Sequence, residues 1–169
     1  MPMCDAYIPE GALSPSAEAK LLARLTDLLL EHEGVDPTNA MARTMAWVFV
    51  HRAEMFVAGA QAHEPRYRFV CGVPEGQYND ERRAAVTLEM TQAVAEAENG
   101  AWPYPESRVA VFTHEVRDGS WGGAGRILRL PDIYEIVFGG EHRGTAERVL
   151  ATRHREEAEL LLAAAHRAL

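Results

Sequence analysis

The tripeptide Pro-Glu-Gly occurs twice in this chain, at 9–11 and 74–76, and each copy separates a short apolar segment from a helical pattern. The two copies lie 65 residues apart. At that spacing Leu21, Leu25, Leu29 and Thr26 fall on Val86, Met90, Val94 and Thr91, and the segment 56–59 falls on 121–124. A shared tripeptide, helical period and aromatic-glycine segment on one spacing indicate an internal repeat. We therefore predict a duplicated unit.

Each copy of the repeat has the pattern of a strand, a helix and a second strand. Segments rich in β-branched and aromatic residues predict strands at 3–8, 67–73, 45–51 and 108–116. Residues typical of helix N-caps are Ser14, which precedes a proline, and Asn79 or Asp80. Gly34 and Gly100 predict the two helix ends.

A strand, a crossover helix and a second strand predict a parallel, right-handed β-α-β unit. Two such units, at 2–61 and 66–130, predict an α+β fold whose single four-stranded sheet carries both helices on one face. The segment 130–144 is predicted as an extended piece and a turn, which ends the domain at residue 144. The charged segment 145–169 predicts a C-terminal helix that serves packing or assembly.

Composition excludes several classes of function. A net charge of −8 gives nucleic-acid binding no electrostatic support. The two cysteines, Cys4 and Cys71, and the seven histidines show no metal-ligand spacing, so no metal is expected. The chain has neither a signal-peptide pattern nor an apolar run of the roughly 18 residues that span a bilayer. We expect a cytoplasmic protein without membrane contact.

Pro2 directly follows the first methionine and has two interpretations. The ordinary one is that a small second residue favours removal of the methionine. The functional one is that this removal leaves Pro2 with a free secondary amine, which is rigid and nucleophilic. Burial near arginines disfavours the ammonium form, so the amine's pKa falls towards neutrality and the amine can act as a general base or acid.

The N-terminal proline on a strand, the "IPEG" turn and the segment "FTHEVRDGSWGGAGRIL" resemble the tautomerase superfamily. The fused pair of units is similar to the group that contains cis-3-chloroacrylic acid dehalogenase and malonate semialdehyde decarboxylase. The resemblance covers residues 2–130. It implies a homotrimer that needs no cofactor and acts on a small carboxylate. One catalytic amine per chain is implied, because the repeat places Tyr67, an internal residue, at the position equivalent to Pro2.

The resemblance also implies roles for individual side chains. Arg126 matches an arginine near the substrate carboxylate and is the predicted anchor, with a structural ion pair as the alternative. Trp121 matches an aromatic pocket wall, with core packing as the alternative. Phe112 falls near the sequence position of the dehalogenase's tyrosine but lacks the hydroxyl that positions water. Gln77 stands where the family has an arginine after Glu-Gly. Candidate replacement cations are Arg52, Arg68 and Arg117, with a surface or interface charge as the alternative for each.

Several family positions are occupied by different residues. The dehalogenase's histidine, paired arginines and glutamate fall on Leu29, on Pro74 or Glu75 with Gln77, and on Gly123. The water-activating groups are therefore missing, which disfavours hydrolytic dehalogenation. We expect cofactor-independent proton transfer on a small keto or enol carboxylic acid, with Pro2 and Arg126 as catalytic residues. The alternatives are decarboxylation, hydration or dehalogenation of a related acid, and a catalytically weak ligand-binding or assembly protein.

Overall fold

The computed structural model describes residues 2–168 and divides them into two compact units. The first unit comprises residues 2–73 with Tyr78–His114, and the second comprises Pro74–Gln77 with residues 115–168. The strands are β1 (Met3–Tyr7), β2 (Trp47–His51), β3 (Phe56–Val57), β4 (Ala60–Gln61), β5 (Tyr67–Pro74), β6 (Val109–Val116), β7 (Gly122–Gly123) and β8 (Arg126–Ile127). The helices are α1 (Pro15–His32), α2 (Ala40–Met45), α3 (Asp80–Glu98), α4 (Leu130–Phe138) and α5 (Arg143–Ala168).

The main sheet has the strand order β2-β1-β5-β6. β1 is parallel to β2 and antiparallel to β5, so Met3 lies opposite both Trp47 and Gly72. The backbone N–H of Tyr67 donates to the carbonyl of Arg108 at 2.8 Å, where β5 and β6 begin. The sheet thus consists of the pairs β1–β2 and β5–β6, which meet where β1 lies antiparallel to β5. A duplicated β-α-β unit produces this arrangement, and the predicted four-stranded sheet is confirmed.

The core of the first unit lies between one face of this sheet and the helices α1 and α3. Alternate residues of β1 and β5 point to that face because successive side chains of a strand alternate. The repeat-matched leucines of α1 and the matched residues of α3 meet them there; the buried set includes Cys4, Ala6, Ile8, Phe69, Cys71, Val73, Leu21, Leu25, Leu29, Val86, Met90 and Val94. Each large apolar side chain buried in this way contributes about 1.5–3 kcal/mol. Both helices therefore cover one face, as predicted.

The two halves repeat each other in detail. Ser14 and Asn79 accept hydrogen bonds from the first-turn amides of α1 and α3, and so act as the predicted N-caps. α3 has 19 residues where α1 has 18, because Glu98 belongs to α3 whereas its counterpart Glu33 caps α1; beyond this point the spacing becomes 66. The turns of the β3–β4 and β7–β8 hairpins follow this new spacing and share left-handed backbone geometry: φ is 51° and 81° at Ala58 and Gly59, and 50° and 74° at Ala124 and Gly125.

Two segments differ from the prediction. The strand predicted from residue 45 begins at Trp47, because Asn39 caps the short helix α2, which continues to Met45. The segment predicted as extended at 130–138 is the helix α4, so that prediction was wrong. Proline is compatible with the first helical turn, and the Asp132 carboxylate accepts the Arg129 N–H at 3.0 Å. The C-terminal helix is confirmed and begins at Arg143. None of the helices in the described part of the chain has the length and apolar character that a bilayer crossing requires.

Candidate active site

Pro2 is buried immediately before β1. Its carbonyl accepts a hydrogen bond from the backbone N–H of Trp47 at 3.2 Å, which fixes it to the first residue of β2. Because Met3 pairs with Gly72 in the antiparallel neighbour, Pro2 lies at the end of the sheet where β1 and β2 begin and β5 ends. The residue that precedes β1 is thus enclosed by protein at this edge of the first unit.

Two buried ionisable side chains belong to the same end of the first unit. Glu33 follows the last residue of α1, which returns from the far end of β1, and Tyr78 follows β5. Glu33 is 6% exposed and Tyr78 is 2% exposed. Burial raises the pKa of the Glu33 carboxyl. Burial also raises the pKa of the Tyr78 phenol, and the charge of Glu33 raises it further, so the two groups lie within electrostatic reach of each other.

The equivalent place in the second half contains a complete ion pair. Glu98 lies 65 residues after Glu33, and Tyr67 lies 65 residues after Pro2. The Arg108 guanidinium binds both carboxylate oxygens of Glu98 at 2.6 Å, and both side chains are almost fully buried. The other Arg108 N–H groups donate to the carbonyls of Pro103, Pro65 and Trp102. The repeat therefore places one buried carboxyl beside the first strand of each half.

Neither Glu33 nor Tyr78 is among the residues predicted from the sequence. An isolated glutamate at the end of a helix reads as a solvated residue, and nothing in its neighbours indicates burial. The signal that could have identified Glu33 was the 65-residue spacing to Glu98, because one residue type at the same place in both copies indicates a similar buried environment. Glu33 thus belongs to the same end of the sheet as Pro2, where a carboxylate favours the charged form of a neighbouring amine.

Two of the predicted pocket residues belong to the first unit but lie away from Pro2. Arg52 follows β2, and its guanidinium binds Glu18 Oε1 at 2.6 Å and the Ile8 carbonyl at 3.2 Å. Since β1 and β2 run in parallel, Arg52 is at the opposite end of the sheet, about 17 Å along the strand direction. Phe112 lies in the middle of β6 on the face without helices and is half exposed. The structure does not bring these two residues to Pro2.

The remaining predicted residues belong to the second unit. Trp121 is 7% exposed, and its carbonyl accepts the Leu128 N–H at 2.8 Å across the β7–β8 hairpin. Arg126 is exposed on β8, opposite Gly123. Gln77 is buried, and its amide nitrogen lies 3.5 Å from the Tyr134 hydroxyl. Trp121 and Arg126 therefore stand on a single hairpin.

The second Pro-Glu-Gly turn is held by carboxylates of its own unit. Glu75 accepts the Asp118 N–H at 2.7 Å and contacts His154 at 3.1 Å. Glu115 accepts the Gly76 N–H at 2.9 Å and binds Arg153 at 3.0 Å. Glu75 thus serves to fix the turn. Within residues 2–168, no group of three or more His, Cys, Asp and Glu side chains is arranged to hold a metal ion.

No model of a known protein family matches the sequence, and no curated protein matches it. Solved structures do match the fold. A member of the cis-3-chloroacrylic acid dehalogenase family, N1, has a TM-score of 0.64 at 18% identity over 88% of this chain and 99% of its own. Pt0534, inactivated by 2-oxo-3-pentynoate, has a TM-score of 0.60 at 24% identity over 74% of this chain and 94% of its own.

A third structure, the symmetric trimer of a fused 4-OT, has a TM-score of 0.59 at 19% identity over 75% of this chain and 94% of its own. These proteins are members of the tautomerase superfamily. At such identities the likeness concerns the fold, and the similarity extends over nearly the whole of each relative. The resemblance seen in the sequence is confirmed at that level: the chain has the tautomerase fold.

Proposed function

We propose that this protein is a cofactor-independent, tautomerase-type enzyme in which removal of Met1 exposes the secondary amine of Pro2. The substrate is a small keto or enol carboxylic acid. The observation that carries the proposal is the burial of Pro2 at the start of β1, at the end of the sheet that also holds Glu33 and Tyr78. Burial disfavours an ammonium ion and so lowers the pKa of the amine towards the pH of the cell.

In this mechanism the neutral amine of Pro2 takes a proton from the enol hydroxyl or from the carbon next to the carbonyl. The resulting ammonium returns a proton to the other atom, which interconverts the enol and keto forms. Glu33 stabilises the ammonium between the two transfers, because an opposite charge favours the charged form of a neighbouring amine. Tyr78, kept neutral by its environment, can donate a hydrogen bond to the developing oxyanion.

The roles of the other predicted residues rest on the resemblance. Arg126, supplied by the same chain or by another copy, would bind the substrate carboxylate through its planar fork. Trp121 would wall the pocket and exclude water. Gln77, Phe112 and Arg52 stay predictions, and the position of Arg52 at the far end of the sheet gives it the weakest support of the three.

We further propose that the protein assembles as a homotrimer, like the fused 4-OT whose structure is a symmetric trimer. β2 is an edge strand of the sheet. Large apolar side chains are exposed on it and on the hairpin that follows: Trp47 is 52%, Phe49 is 45% and Phe56 is 60% exposed. Such a patch on a sheet edge indicates an interface between copies of the chain. Native mass spectrometry and light scattering test the trimer, and a monomer would contradict it.

The central experiment compares Pro2→Ala with Pro15→Ala in preparations whose loss of Met1 is verified by intact mass. Pro15 is exposed at the first turn of α1 and is the matched control. With phenylenolpyruvate as the substrate, ketonisation should fall by a factor of about 10²–10⁴ in Pro2→Ala, the usual contribution of a general acid or base. It should be retained in Pro15→Ala. Protein that retains Met1 should be inactive.

A nuclear magnetic resonance titration of ¹⁵N-labelled proline supplies the second readout. We expect the pKa of the Pro2 amine to lie well below that of an exposed secondary amine. An unshifted pKa together with full activity of Pro2→Ala would contradict the proposal. Turnover of a decarboxylation substrate in place of phenylenolpyruvate, lost on Pro2→Ala, would indicate the related lyase reaction. Binding of small carboxylates without turnover would indicate a ligand-binding protein.

A further inference from the structure

A cavity of about 430 Å³ lies in the first unit at the end of the sheet opposite Pro2. It opens where β1 ends and β5 begins, and its wall includes Tyr7, Arg66, Arg68 and Phe112. Met55, from the segment after β2, adds further apolar surface. A concave site of this size, with mostly apolar walls and a few polar groups, is typical of small-molecule binding.

The repeat gives this cavity a defined place in the fold. Tyr67, at the start of β5, is the equivalent of Pro2, so the cavity lies in the second half where the surroundings of Pro2 lie in the first. Arg66 precedes Tyr67 in the chain, so the strand start has no free amine there. The place can therefore retain a capacity to bind an anion while lacking the proposed base.

The charged residues that line the cavity are arginines. Among the described residues that line it there is no aspartate or glutamate, whereas Arg66, Arg68 and Arg108 all contribute. The charge of Arg108 is compensated by Glu98. Arg66 donates from Nη1 to the Ser107 carbonyl at 2.9 Å, a neutral acceptor. Its Nε is buried and has no hydrogen-bond partner within the described chain.

Arg68 is held by aromatic rings. Its guanidinium carbon lies 5.2 Å from the ring centroid of Tyr7 and 5.2 Å from that of Phe112. On the other side of Tyr7 the His51 ring is stacked at 4.6 Å. No carboxylate within residues 2–168 forms an ion pair with Arg68. A guanidinium flanked by rings keeps its edge N–H groups available for a planar, two-oxygen acceptor.

We infer that this cavity is a second, non-catalytic site that binds a small monocarboxylate with an aromatic or alkyl body. The carboxylate accepts hydrogen bonds from Arg68 and Arg66, and the body packs against Tyr7, Met55 and Phe112. A carboxylate fits because two cations face the site without a counter-charge, and an apolar body fits because the rest of the wall is apolar. The inference is independent of any reaction at Pro2.

The test uses the full chain and 4-fluorobenzoate, followed by ¹⁹F nuclear magnetic resonance and by calorimetry. Arg68→Gln and Arg66→Gln should each weaken binding at least tenfold, because each removes a charged hydrogen-bond donor. Arg24→Gln removes an arginine of α1 that does not line the cavity, and should bind like the unaltered protein. The uncharged analogue 4-fluorobenzyl alcohol should bind at least tenfold more weakly than 4-fluorobenzoate. Backbone amide shifts should concentrate at Tyr7, Arg68 and Phe112.

Three results would overturn the inference. They are no binding of 4-fluorobenzoate at millimolar concentration, equal binding by all three variants, and amide shifts confined to Pro2, Glu33 and Tyr78. Arg68 is exposed, so Arg68→Gln is expected to fold, and far-UV circular dichroism verifies this. Arg68→Lys keeps the charge without the fork or the ring contacts, and binding intermediate between the unaltered protein and Arg68→Gln would show that the fork itself is used.

Discussion

Replacing Arg108 by methionine should destabilise the protein more than any exposed charge substitution. Arg108 and Glu98 form a two-oxygen ion pair whose side chains are 0% and 1% exposed. Methionine keeps much of the apolar stem but leaves the Glu98 carboxylate buried without its cation. Removal of one partner from a buried pair costs about 3–5 kcal/mol. The carbonyls of Pro65, Trp102 and Pro103 also lose their donor, so we expect a value towards the upper end of that range.

The matched control is Arg24→Met, on the surface of α1. Arg24 binds Glu31 at 3.1 Å, and these side chains are 44% and 38% exposed. An exposed pair contributes about 0–1 kcal/mol. Urea unfolding followed by circular dichroism, at one fixed protein concentration, gives the free energy of unfolding of each variant. The double variant Arg108→Met with Glu98→Leu should recover the part of the loss that comes from the stranded charge, because it removes both charges from the interior; the three carbonyls lack their donor in both variants.

The reasoning would be refuted if Arg108→Met cost no more than Arg24→Met. It would also be refuted if the double variant were as unstable as the sum of the two single variants, because the energies of the partners would then be independent. A non-zero coupling energy in this double-mutant cycle is the quantity that the contact geometry predicts.

Three further predictions concern other parts of the chain. Glu33→Gln should lower the pKa of the Pro2 amine by about one unit or more, because it removes a negative charge that favours the ammonium; a ¹⁵N titration that shows no change would exclude an interaction between them. Gly76→Ala should destabilise by about 1–3 kcal/mol in urea unfolding, because φ is +88° and the new Cβ would lie 2.8 Å from Val149 Cγ1. Gly11→Ala meets no atom within 4 Å and should cost only the backbone strain of about 1 kcal/mol. Hydrogen bonds from the Arg129 N–H, and then from Arg143, lower the pKa of Asp132. Its contribution to the free energy of unfolding is therefore present above the unfolded-state pKa and is lost as the pH falls through the lower folded-state pKa. Asp132→Asn should reduce the loss of stability at acid pH, and an unchanged loss would assign it to other carboxyls.

The sequence was sufficient for the paired architecture because the relevant signals are local and occur twice. Ser14 and Asn79 cap helices wherever they precede a helical pattern, and the leucine period of α1 needs only one buried face. The helix α4 was missed because its proline and the following Gly139 are turn residues in isolation. Its start also depends on Asp118, whose carboxylate accepts the Leu130 N–H at 2.8 Å from twelve residues away in the sequence, and no local pattern records that contact.

The candidate site could be predicted only where the type and position of a single residue indicate its chemistry. Pro2 can be identified from its position and type. Glu33 and Tyr78 depend on burial at the end of a sheet, which arises from the register of β1 and β5 and has no signature in their own neighbours. Arg52 illustrates the reverse case: its residue type suits a carboxylate, but the parallel pairing of β1 and β2 carries it to the far end.

The ion pair of the second half has a consequence for how the two copies can diverge. Glu98 and Arg108 tolerate a neutral replacement only as a pair, since either single change strands a charge in the interior. An amine at the Tyr67 position would require a chain break before that residue, since Arg66 precedes it. The pair beside Tyr67 adds a separate constraint, because the interior there accommodates a loss of charge only when Glu98 and Arg108 change together.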